Sequence, residues 1–455
     1  MAGGLMQLVA YGAQDVYLTG NPKVTFFQAV YKRHTNFAME IIEQTVNGTA
    51  SNDGRISVTI ARNGDLIGDM FMELKTIANL ASREGDSTVT SGVWAAERAV
   101  KSVELSIGGQ RIDKHYQRWW RLYSELYLPT DKKNEWAKLT TDATGAGLSK
   151  VYLPLIFFFN RNPGLYLPLI ALQYHEVRID FDLASNFSSY LDTTSVKVWG
   201  NYIYLDTEER RRFAQKGHEY LIEQVQHTGT DSVTGGSTKQ VRLSYNHPVK
   251  ELIWCFSGSD TTNSRMWNFT TNAHASNAVV LESNPDFLGK AAITGGAANS
   301  NVFLLSSLHA AAGVPQVLTG NIAAAGSLYS PSVYQWNEDG AVLPRKSVGP
   351  LESFKLILNG QDRFKSQPGK FFNQMQPIMH HSGNPYPGVY CYSFALKPEE
   401  LQPTGTCNFS RIDNSQVEVQ LKAGTDTNNS TLAMFAVNYN VLRIQSGMGG
   451  LAFSN

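Results

Sequence analysis

Two short segments carry residue types that could support chemistry. Residues 145–150 (GAGLSK) combine the glycine, serine and lysine of a phosphate-binding loop. That loop needs the spacing G-x-x-x-x-G-K-[ST] between a strand and a helix, so this segment predicts only a surface loop. Asp180 and Asp182 lie on one face of a predicted strand, roughly 7 Å apart. Paired glycosidase carboxyls lie about 5–5.5 Å apart, so the alternation here favours a solvated sheet surface.

The histidines and cysteines do not suggest a metal centre. His380 and His381 are adjacent, and neighbouring side chains on an extended chain point in opposite directions. Cys255, Cys391 and Cys407 are an odd number without metal-type spacing, although the last two could approach each other in a folded domain. They predict reduced, buried thiols of a protein made in the cytosol. We therefore expect no catalytic residue, no cofactor and no bound metal.

Two further features could have either a structural or a functional explanation. Tyr116, Trp119, Trp120, Tyr123 and Tyr127 could form a sugar platform, but a core or a subunit interface is favoured because Trp and Tyr are enriched at interfaces. N-glycosylation sequons also occur, and they would matter only after entry into the secretory pathway. The candidate acceptors are Asn47, Asn186, Asn268, Asn408 and Asn428.

The composition bounds the classes of function. Lys plus Arg equals Asp plus Glu at 39 each in 455 residues, so no net charge attracts nucleic acid or a lipid surface. No stretch approaches the ~20 apolar residues of a membrane-spanning helix. The first residues (MAGGLMQLVAYGAQD) lack the features of a secretory signal. A chain of this length predicts two domains.

Apolar residues alternate with polar ones along most of the chain, which predicts half-buried strands and an all-β sandwich protein. Segments 56–60, 103–107, 177–183, 241–245, 354–358, 417–421 and 435–439 show this pattern. Helices are few. One is predicted after Asn21-Pro22, with Val24, Phe27 and Tyr31 on one face. A second is predicted over 116–126, and a third would be capped by Asp131 and carry Trp136 and Leu139.

The chain also resembles itself. VELSIGGQRIDK (103–114) aligns with FKLILNGQDRFK (354–365), RISVTI (55–60) with QVRLSY (240–245), and IDFDL (179–183) with VEVQL (417–421). The same order in both halves predicts a duplication. The predicted organisation is an arm (1–24), a first domain (25–210), a linker (211–234) and a second domain (235–455). The second domain carries an insertion at about 258–345, poor in charge and rich in Ser, Thr, Asn and Gly, which we expect to form an outward-facing excursion with some strand structure.

Residues 5–40 carry the most specific motif, LMQLVAYGAQDVYLTGNPKVTFFQAVYKRHTNFAME. This segment resembles the amino-terminal signature of major capsid proteins of nucleocytoplasmic large DNA viruses. The similarity continues through 160–183, thins in the insertion and is moderate in the second half. The matching positions are Gln14, Asp15, Leu18, Thr19, Gly20, Asn21, Pro22, Phe26, Phe27, Tyr31, His34, Thr35, Asn36 and Phe37.

The resemblance implies two tandem eight-stranded antiparallel jelly-roll sandwiches with a few short helices. It further implies a homotrimer with a pseudo-hexagonal base, and many such capsomers tiling an icosahedral shell around an internal membrane and a double-stranded DNA genome. Such a protein would reside in the outer shell of the virion and assemble in the host cytoplasm. Two similar domains in each of three chains give six similar lobes, and a closed ring stops a head-to-tail contact from growing into a fibre.

The predicted partners are other copies of the chain and minor capsid proteins. Residues 1–45 contain three basic and three acidic side chains, so an arm that binds the genome by charge is not expected. Instead, residues 1–36 are expected to pack under the shell against neighbours or minor capsid proteins. The alternatives are a shell protein with a different chain wrapping, and a tandem β-sandwich lectin or enzyme acting on glycans. The second would need clustered carboxylates or metal ligands on the loops at one end of a sandwich.

Overall fold

The computed structural model describes residues 3–77, 94–142, 148–257, 334–336, 342–344, 349–383, 385, 388–422 and 431–453. The chain divides into two compact units, Met1–Phe37 and Ala38–Asn455. The first unit is the arm, and the second contains the sheets. Residues 143–147 of the glycine-rich segment and most of the 258–345 insertion lie outside the described ranges. Within that insertion, two short strands are described, and they pair with each other.

The arm contains two short helices, α1 (Gly3–Val9) and α2 (Val16–Thr19). The prediction of a helix after Asn21-Pro22 is wrong, since residues 20–36 form no helix. Asn21 adopts a φ of 52°, whereas an N-cap residue needs an extended backbone. Val24, Phe27 and Tyr31 are 70%, 99% and 85% exposed. A short helix with no packed apolar face is only marginally stable in water.

The first sandwich is built from two antiparallel sheets. One has the strand order β1-β10-β4-β7, with β8 also on β4, and the other has the order β2-β3-β9-β5-β6. The strands are β1 (Phe37–Gln44), β2 (Val46–Asn47), β3 (Arg55–Thr59), β4 (Leu66–Lys75), β5 (Val100–Ile107), β6 (Gln110–Tyr116), β7 (Lys150–Pro154), β8 (Leu167–Pro168), β9 (Val177–Leu183) and β10 (Lys197–Leu205).

The second sandwich also has two main sheets. Their orders are β11-β22-β13-β19, with β20 on β13 and β23 on β22, and β12-β21-β16-β17, with β18 on β16. The strands are β11 (His218–Ser232), β12 (Thr238–Leu243), β13 (Pro248–Ser257), β14 (Tyr334–Trp336), β15 (Val342–Pro344), β16 (Leu351–Leu358), β17 (Gln361–Asp362), β18 (Gln367–Pro368), β19 (Val389–Ser393), β20 (Cys407–Asn408), β21 (Ser415–Leu421), β22 (Thr431–Gln445) and β23 (Met448–Leu451).

Helical segments fill the connections between strands. Within the described ranges the α-helices of the second unit are α3 (Ala95–Arg98), α4 (Gln117–Tyr127), α5 (Thr130–Thr140), α6 (Phe158–Arg161), α7 (Thr207–Gln215) and α8 (Gln376–His380). A π-helical turn, Phe371–Met375, leads directly into α8. Short 3-10 turns span Pro163–Leu165, Leu169–Ala171, Phe187–Ser189 and Phe409–Arg411. The helix predicted over 116–126 is confirmed as α4. In α5, Asp131 lies in the first turn and Pro129 is the N-cap residue, which corrects the predicted cap.

The two sandwiches have the same connectivity, which confirms the internal duplication. Eight strands of each sandwich form matching paths: β1-β10-β4-β7 with β3-β9-β5-β6 in the first, and β11-β22-β13-β19 with β12-β21-β16-β17 in the second. The three aligned segments fall on equivalent strands: β3 with β12, β5 with β16, and β9 with β21. This eight-stranded double arrangement is that of a jelly roll.

Both copies reverse direction at the same kind of turn, which includes the glycine of the Gly-Gln pair. Gly108 and Gly109 have φ values of 57° and 81°, and Asn359 and Gly360 have 50° and 79°. Two consecutive left-handed residues define a type I′ hairpin turn, which favours Asn-Gly and Gly-Gly. The shared turn fixes the register of Ile107 opposite Gln110, and of Leu358 opposite Gln361.

Residues 211–234 were predicted to be a linker, but the structure places the end of α7 and all of β11 there. β11 pairs with β22 along most of its length, from His218 opposite Ile444 to Ser232 opposite Thr431. The sequence of β11 is mostly polar, so it shows weak alternation, and the charged run at 208–212 suggested a solvated connection. The chain therefore enters the second sandwich by residue 218.

Candidate functional site

The arm exposes apolar side chains along its whole described length, and none of its residues is buried. Tyr17, Leu18, Phe26 and Phe27 are 93%, 87%, 92% and 99% exposed. Exposed apolar surface of this extent is typical of interaction sites. The motif positions lie on this segment, and all but the half-buried Asp15 are exposed: Gln14, Leu18, Thr19, Gly20, Asn21, Pro22, Phe26, Phe27, Tyr31, His34, Thr35, Asn36 and Phe37.

Asp15 organises the turn between α1 and α2. Its Oδ2 accepts a hydrogen bond from the Gly12 amide at 2.8 Å, and its carbonyl oxygen accepts one from Thr19 Oγ1 at 2.7 Å. His34 Nδ1 lies 2.7 Å from the carbonyl oxygen of Thr35. These local bonds give the arm a defined backbone while its large side chains stay available for another surface.

The two sandwiches share a buried apolar contact. The outer face of the sheet β11-β22-β13-β19 lies against the first sandwich, and its residues Ile253, Cys255 and Phe435 belong to the same core as the first sandwich. Helix α4 supplies Trp119, which is 2% exposed and has its ring centroid 5.7 Å from that of Phe435. The aromatic group predicted to be core or interface is thus confirmed at Trp119 and Trp120 as core.

A buried cluster of charges crosses this contact. Glu223 of β11 accepts hydrogen bonds from Arg161 of α6, at 2.9 Å, and from Lys250 of β13. Lys250 Nζ also donates to the carbonyl oxygen of Pro398 at 2.6 Å. Burial lowers the pKa of Lys250 to about 8, although the charge of Glu223 opposes this. Burial alone would raise the pKa of Glu223, but Arg161 and Lys250 together hold it below its usual value.

A second part of the cluster centres on His381, directly after α8. Its Nε2 lies 2.9 Å from Glu251 Oε2 and its Nδ1 lies 3.2 Å from Glu399 Oε1, and its side chain is fully buried. Burial alone would lower the pKa of His381, but the charge of Glu251 and further hydrogen bonds raise it well above the usual value. The next residues reach α4, because the Gly383 amide donates to the Leu126 carbonyl at 3.0 Å. His381 therefore fastens the α8 connection to the middle of the molecule.

We expect the stability contributed by His381 to depend on pH. A base whose pKa is raised by folding stabilises the fold fully below its unfolded pKa of about 6.5, and loses this contribution as the pH rises through the folded pKa. Thermal melts of the wild type and His381→Gln between about pH 6 and pH 10 should show the wild type's advantage shrinking with rising pH. Groups that do not interact with His381 titrate alike in both proteins, so their contribution cancels in this difference. A difference that is the same at every pH would contradict this role.

The other candidate chemistry is largely explained by pairing. Asp180 accepts a bond from Arg178 at 2.7 Å, and Asp182 is paired with Arg55 at 2.9 Å. Asp180 is only 9% exposed, so the predicted solvated surface is wrong at this position. Its partner Arg178 accounts for the burial, because a buried carboxylate needs a counter-charge.

The cysteine prediction is confirmed in its main point, because all three are free, with Cys255 and Cys391 buried and Cys407 half-buried. The two adjacent histidines contact different groups. His380 Nδ1 lies 3.0 Å from the Leu396 carbonyl oxygen, whereas His381 lies between Glu251 and Glu399. Within the described ranges, no group of three or more His, Cys, Asp or Glu side chains could hold a metal ion. The helices described here are all too short or too polar to cross a lipid bilayer.

The sequons have different environments. Asn47 and Asn408 are exposed, while Asn186 is 8% exposed and would not be accessible in the folded chain. Asn268 and Asn428 lie outside the described residues. The side chain of Asn408 accepts a hydrogen bond from the Ser410 amide at 3.1 Å, and Ser410 Oγ accepts one from the His247 amide at 2.7 Å, so both residues of this sequon have structural roles.

Sequence reasoning did not identify the buried charge cluster. Its signal is the pair Lys250-Glu251 inside the otherwise apolar strand PVKELIWCFS. Two buried charges within a central strand require partners. A register shift between Val249 and Glu251 interrupts the alternation there, and Lys250 and the His381 partner of Glu251 both lie against Tyr127 of α4. The identities of Glu223, His381 and Glu399 as those partners depend on contacts between residues far apart in the chain.

Comparison of the fold with solved structures defines the class of protein. The chain matches the crystal structure of PBCV-1 VP54, fitted into a reconstruction of the virophage Sputnik, with a TM-score of 0.72 and 38% identity, covering 95% of this chain and 100% of that one. The Faustovirus major capsid protein has the same fold at 13% identity, with a TM-score of 0.64 and coverage of 97% and 96%. The chain is a double jelly-roll protein of the viral capsid class.

Sequence comparison gives the family. Residues 25–206 match the model described as major capsid protein N-terminus, and residues 209–450 match the large eukaryotic DNA virus major capsid protein. The major capsid protein of Paramecium bursaria Chlorella virus 1 is 42% identical over 496 residues, and that of Phaeocystis pouchetii virus is 39% identical over 527, each covering both chains completely. The chain belongs to the family of large eukaryotic DNA virus major capsid proteins, and its role is structural, as a component of a virus capsid.

Proposed function

We propose that three copies of this chain form a pseudo-hexagonal capsomer, and that many capsomers tile the icosahedral shell of a large double-stranded DNA virus. The observation that carries this proposal is the duplicated sandwich, because two equivalent lobes in each of three chains give a nearly six-fold outline. The protein acts without catalysis, binds no cofactor and assembles in the host cytoplasm. The arginine partners of Asp180 and Asp182 support a structural role for these carboxylates.

The arm provides the contacts that hold capsomers in the shell. Its exposed apolar side chains pack against neighbouring capsomers or minor capsid proteins on the inner side, facing an internal membrane. Three basic residues (Lys23, Lys32 and Arg33) are balanced by three acidic ones in 1–45, which supports the absence of direct genome binding. The insertion at about 258–345 points outward, and cleavage of intact particles by protease within this segment would support that orientation. Full protection would count against it.

Replacing Phe26 and Phe27 with serine is expected to block particle assembly while leaving the sandwiches folded. Both side chains are more than nine-tenths exposed in the single chain. Burying a phenylalanine contributes about 1.5–3 kcal/mol, so the pair should weaken the contact by at least about 3 kcal/mol, on the order of a hundredfold. Particle yield by sedimentation and electron microscopy, with the melting temperature of the soluble protein, measures both effects.

The matched control replaces Lys23 and Lys32 with serine, which removes two exposed side chains of the same arm without changing its apolar surface. This control should assemble normally. Deleting residues 1–20 is a second variant, and it should also prevent assembly. Normal particles from the Phe26/Phe27 variant or from the deletion would refute the role of the arm, although the trimer proposal would still stand.

A further inference from the structure

The duplication allows residues of the two sandwiches to be matched by their positions in the sheets. β4 and β13 each have ten residues. The short strand β8 pairs with the start of β4, with Pro168 opposite Leu66, and β20 pairs with the start of β13, with Asn408 opposite Pro248. The equivalent of β4 residue 66 is therefore β13 residue 248. Phe71 then corresponds to Ile253, five residues further along each strand.

The partner strands extend this match. Phe71 lies opposite Trp199 of β10, and Ile253 lies opposite Phe435 of β22. Trp199 in the first sandwich consequently occupies the position that Phe435 occupies in the second. Both point away from the interior of their own sandwich, since the neighbours Val198 and Met434 belong to the cores on the other side.

These equivalent outer faces differ in how they are covered. The outer face of the second sandwich is buried, with Ile253 and Phe435 at 0% and 1% exposure, because α4 of the first sandwich packs on it. Among the residues that the structure describes, none covers the outer face of the first sandwich in the same way. Met39 and Ile41 of β1 are 60% and 57% exposed, and Phe71, Tyr152 and Trp199 are half-exposed. We call this the first outer face.

The helix equivalent to α4 is exposed on one side in the described part of the chain. α4 lies between β6 and β7, and α8 lies in the corresponding connection of the second sandwich, between β18 and β19. α4 buries Trp119 and Leu122 against the rest of the chain, whereas Ile378 and Met379 of α8 are 80% and 55% exposed, and Met375 just before them is 48% exposed. Methionine side chains adapt readily to a partner surface.

We propose that α8 of one copy packs on the first outer face of the next copy, in the way that α4 packs on the second sandwich within one chain. The occupant of the face is a second copy of this chain, which rests on the proposed trimer. Within a chain, the first sandwich contacts the second through α4. Between chains, the second sandwich contacts the first sandwich of the next copy through α8, so the contacts run around the axis in one direction. Three chains supply six sandwiches, so the ring closes and no copy leaves either surface open.

Photocrosslinking in the full-length protein tests this contact. p-Benzoylphenylalanine is placed at position 378, and isotopically light and heavy chains are mixed so that peptides joined between copies can be recognised by mass spectrometry. The expected crosslinks join position 378 to peptides containing 66–75 or 197–205 of another copy. The same group at Met448, which is 52% exposed and lies on β23, should give no crosslinks to these peptides.

Single substitutions test the energetics of the same contact. Ile378→Asp and Trp199→Asp should each weaken association of the copies on the order of tenfold to a hundredfold, while Met448→Asp should change it less than about twofold. A trimer in which position 378 crosslinks to other regions, or to none, would overturn the inference but leave the proposed capsomer intact. A chain that stays monomeric at every concentration would overturn both.

Discussion

Replacing Glu223 with alanine should lower the free energy of unfolding by about 3–5 kcal/mol. The substitution removes the carboxylate shared by Arg161 and Lys250, and the side chain of Lys250 is only 1% exposed. A buried ammonium without a counter-charge is costly, because little water reaches it. Denaturant unfolding monitored by tryptophan fluorescence measures the loss. Lys250 would also lose the interaction that opposes the fall of its pKa.

The matched control lies on the same strand. Glu219 pairs with Arg443 at 2.8 Å, but both side chains are more than half exposed. Exposed ion pairs contribute about 0–1 kcal/mol, so Glu219→Ala should change stability little. If Glu223→Ala and Glu219→Ala had the same small effect, the buried cluster would not stabilise the contact between the sandwiches.

Replacing Trp119 with alanine should cost about 3–5 kcal/mol of stability. Its indole is 2% exposed and lies against Phe435 of the second sandwich. The loss removes apolar contact and leaves a cavity where α4 meets the sheet β11-β22-β13-β19. Calorimetry should show a lower melting temperature. Tyr174→Ala provides the comparison, because Tyr174 is 74% exposed and its removal should change stability by less than about 1 kcal/mol.

The calorimetric profile of the wild type tests whether the two sandwiches unfold together. One continuous core includes residues of both halves, among them Leu105, Trp119, Ile253 and Phe435. We therefore expect the sandwiches to unfold in a single transition. Two well-separated transitions in the wild type, or an unchanged profile in Trp119→Ala, would show that the halves are independent and that α4 does not couple them.

Local patterns in the sequence predict most strands because one face of each is apolar. The alternation in 103–107 and 417–421 specifies strands, and the repeated Gly-Gln hairpins reveal two copies of one unit. α4 is also predictable, since its aromatic residues recur at helical spacing. These features depend on neighbours within a few positions, which sequence patterns record directly.

The errors arise where distant partners decide the conformation. The segment after Asn21 has a helical pattern of apolar residues but no surface within its own unit to pack on. The polar sequence of β11 predicts a linker, whereas pairing with β22 makes it a strand. The buried charges at Glu223 and His381 depend on residues that only the fold brings together. Tertiary contacts override local propensity in all three cases.

The central claim is that this chain is the repeating block of a closed three-copy capsomer. Native mass spectrometry of the purified protein, combined with electron-microscopic projections of the same sample, tests it most directly. We expect a stable particle with three times the 50.3 kDa mass of the chain and a nearly hexagonal outline. A monomer that binds or cleaves oligosaccharides would contradict it.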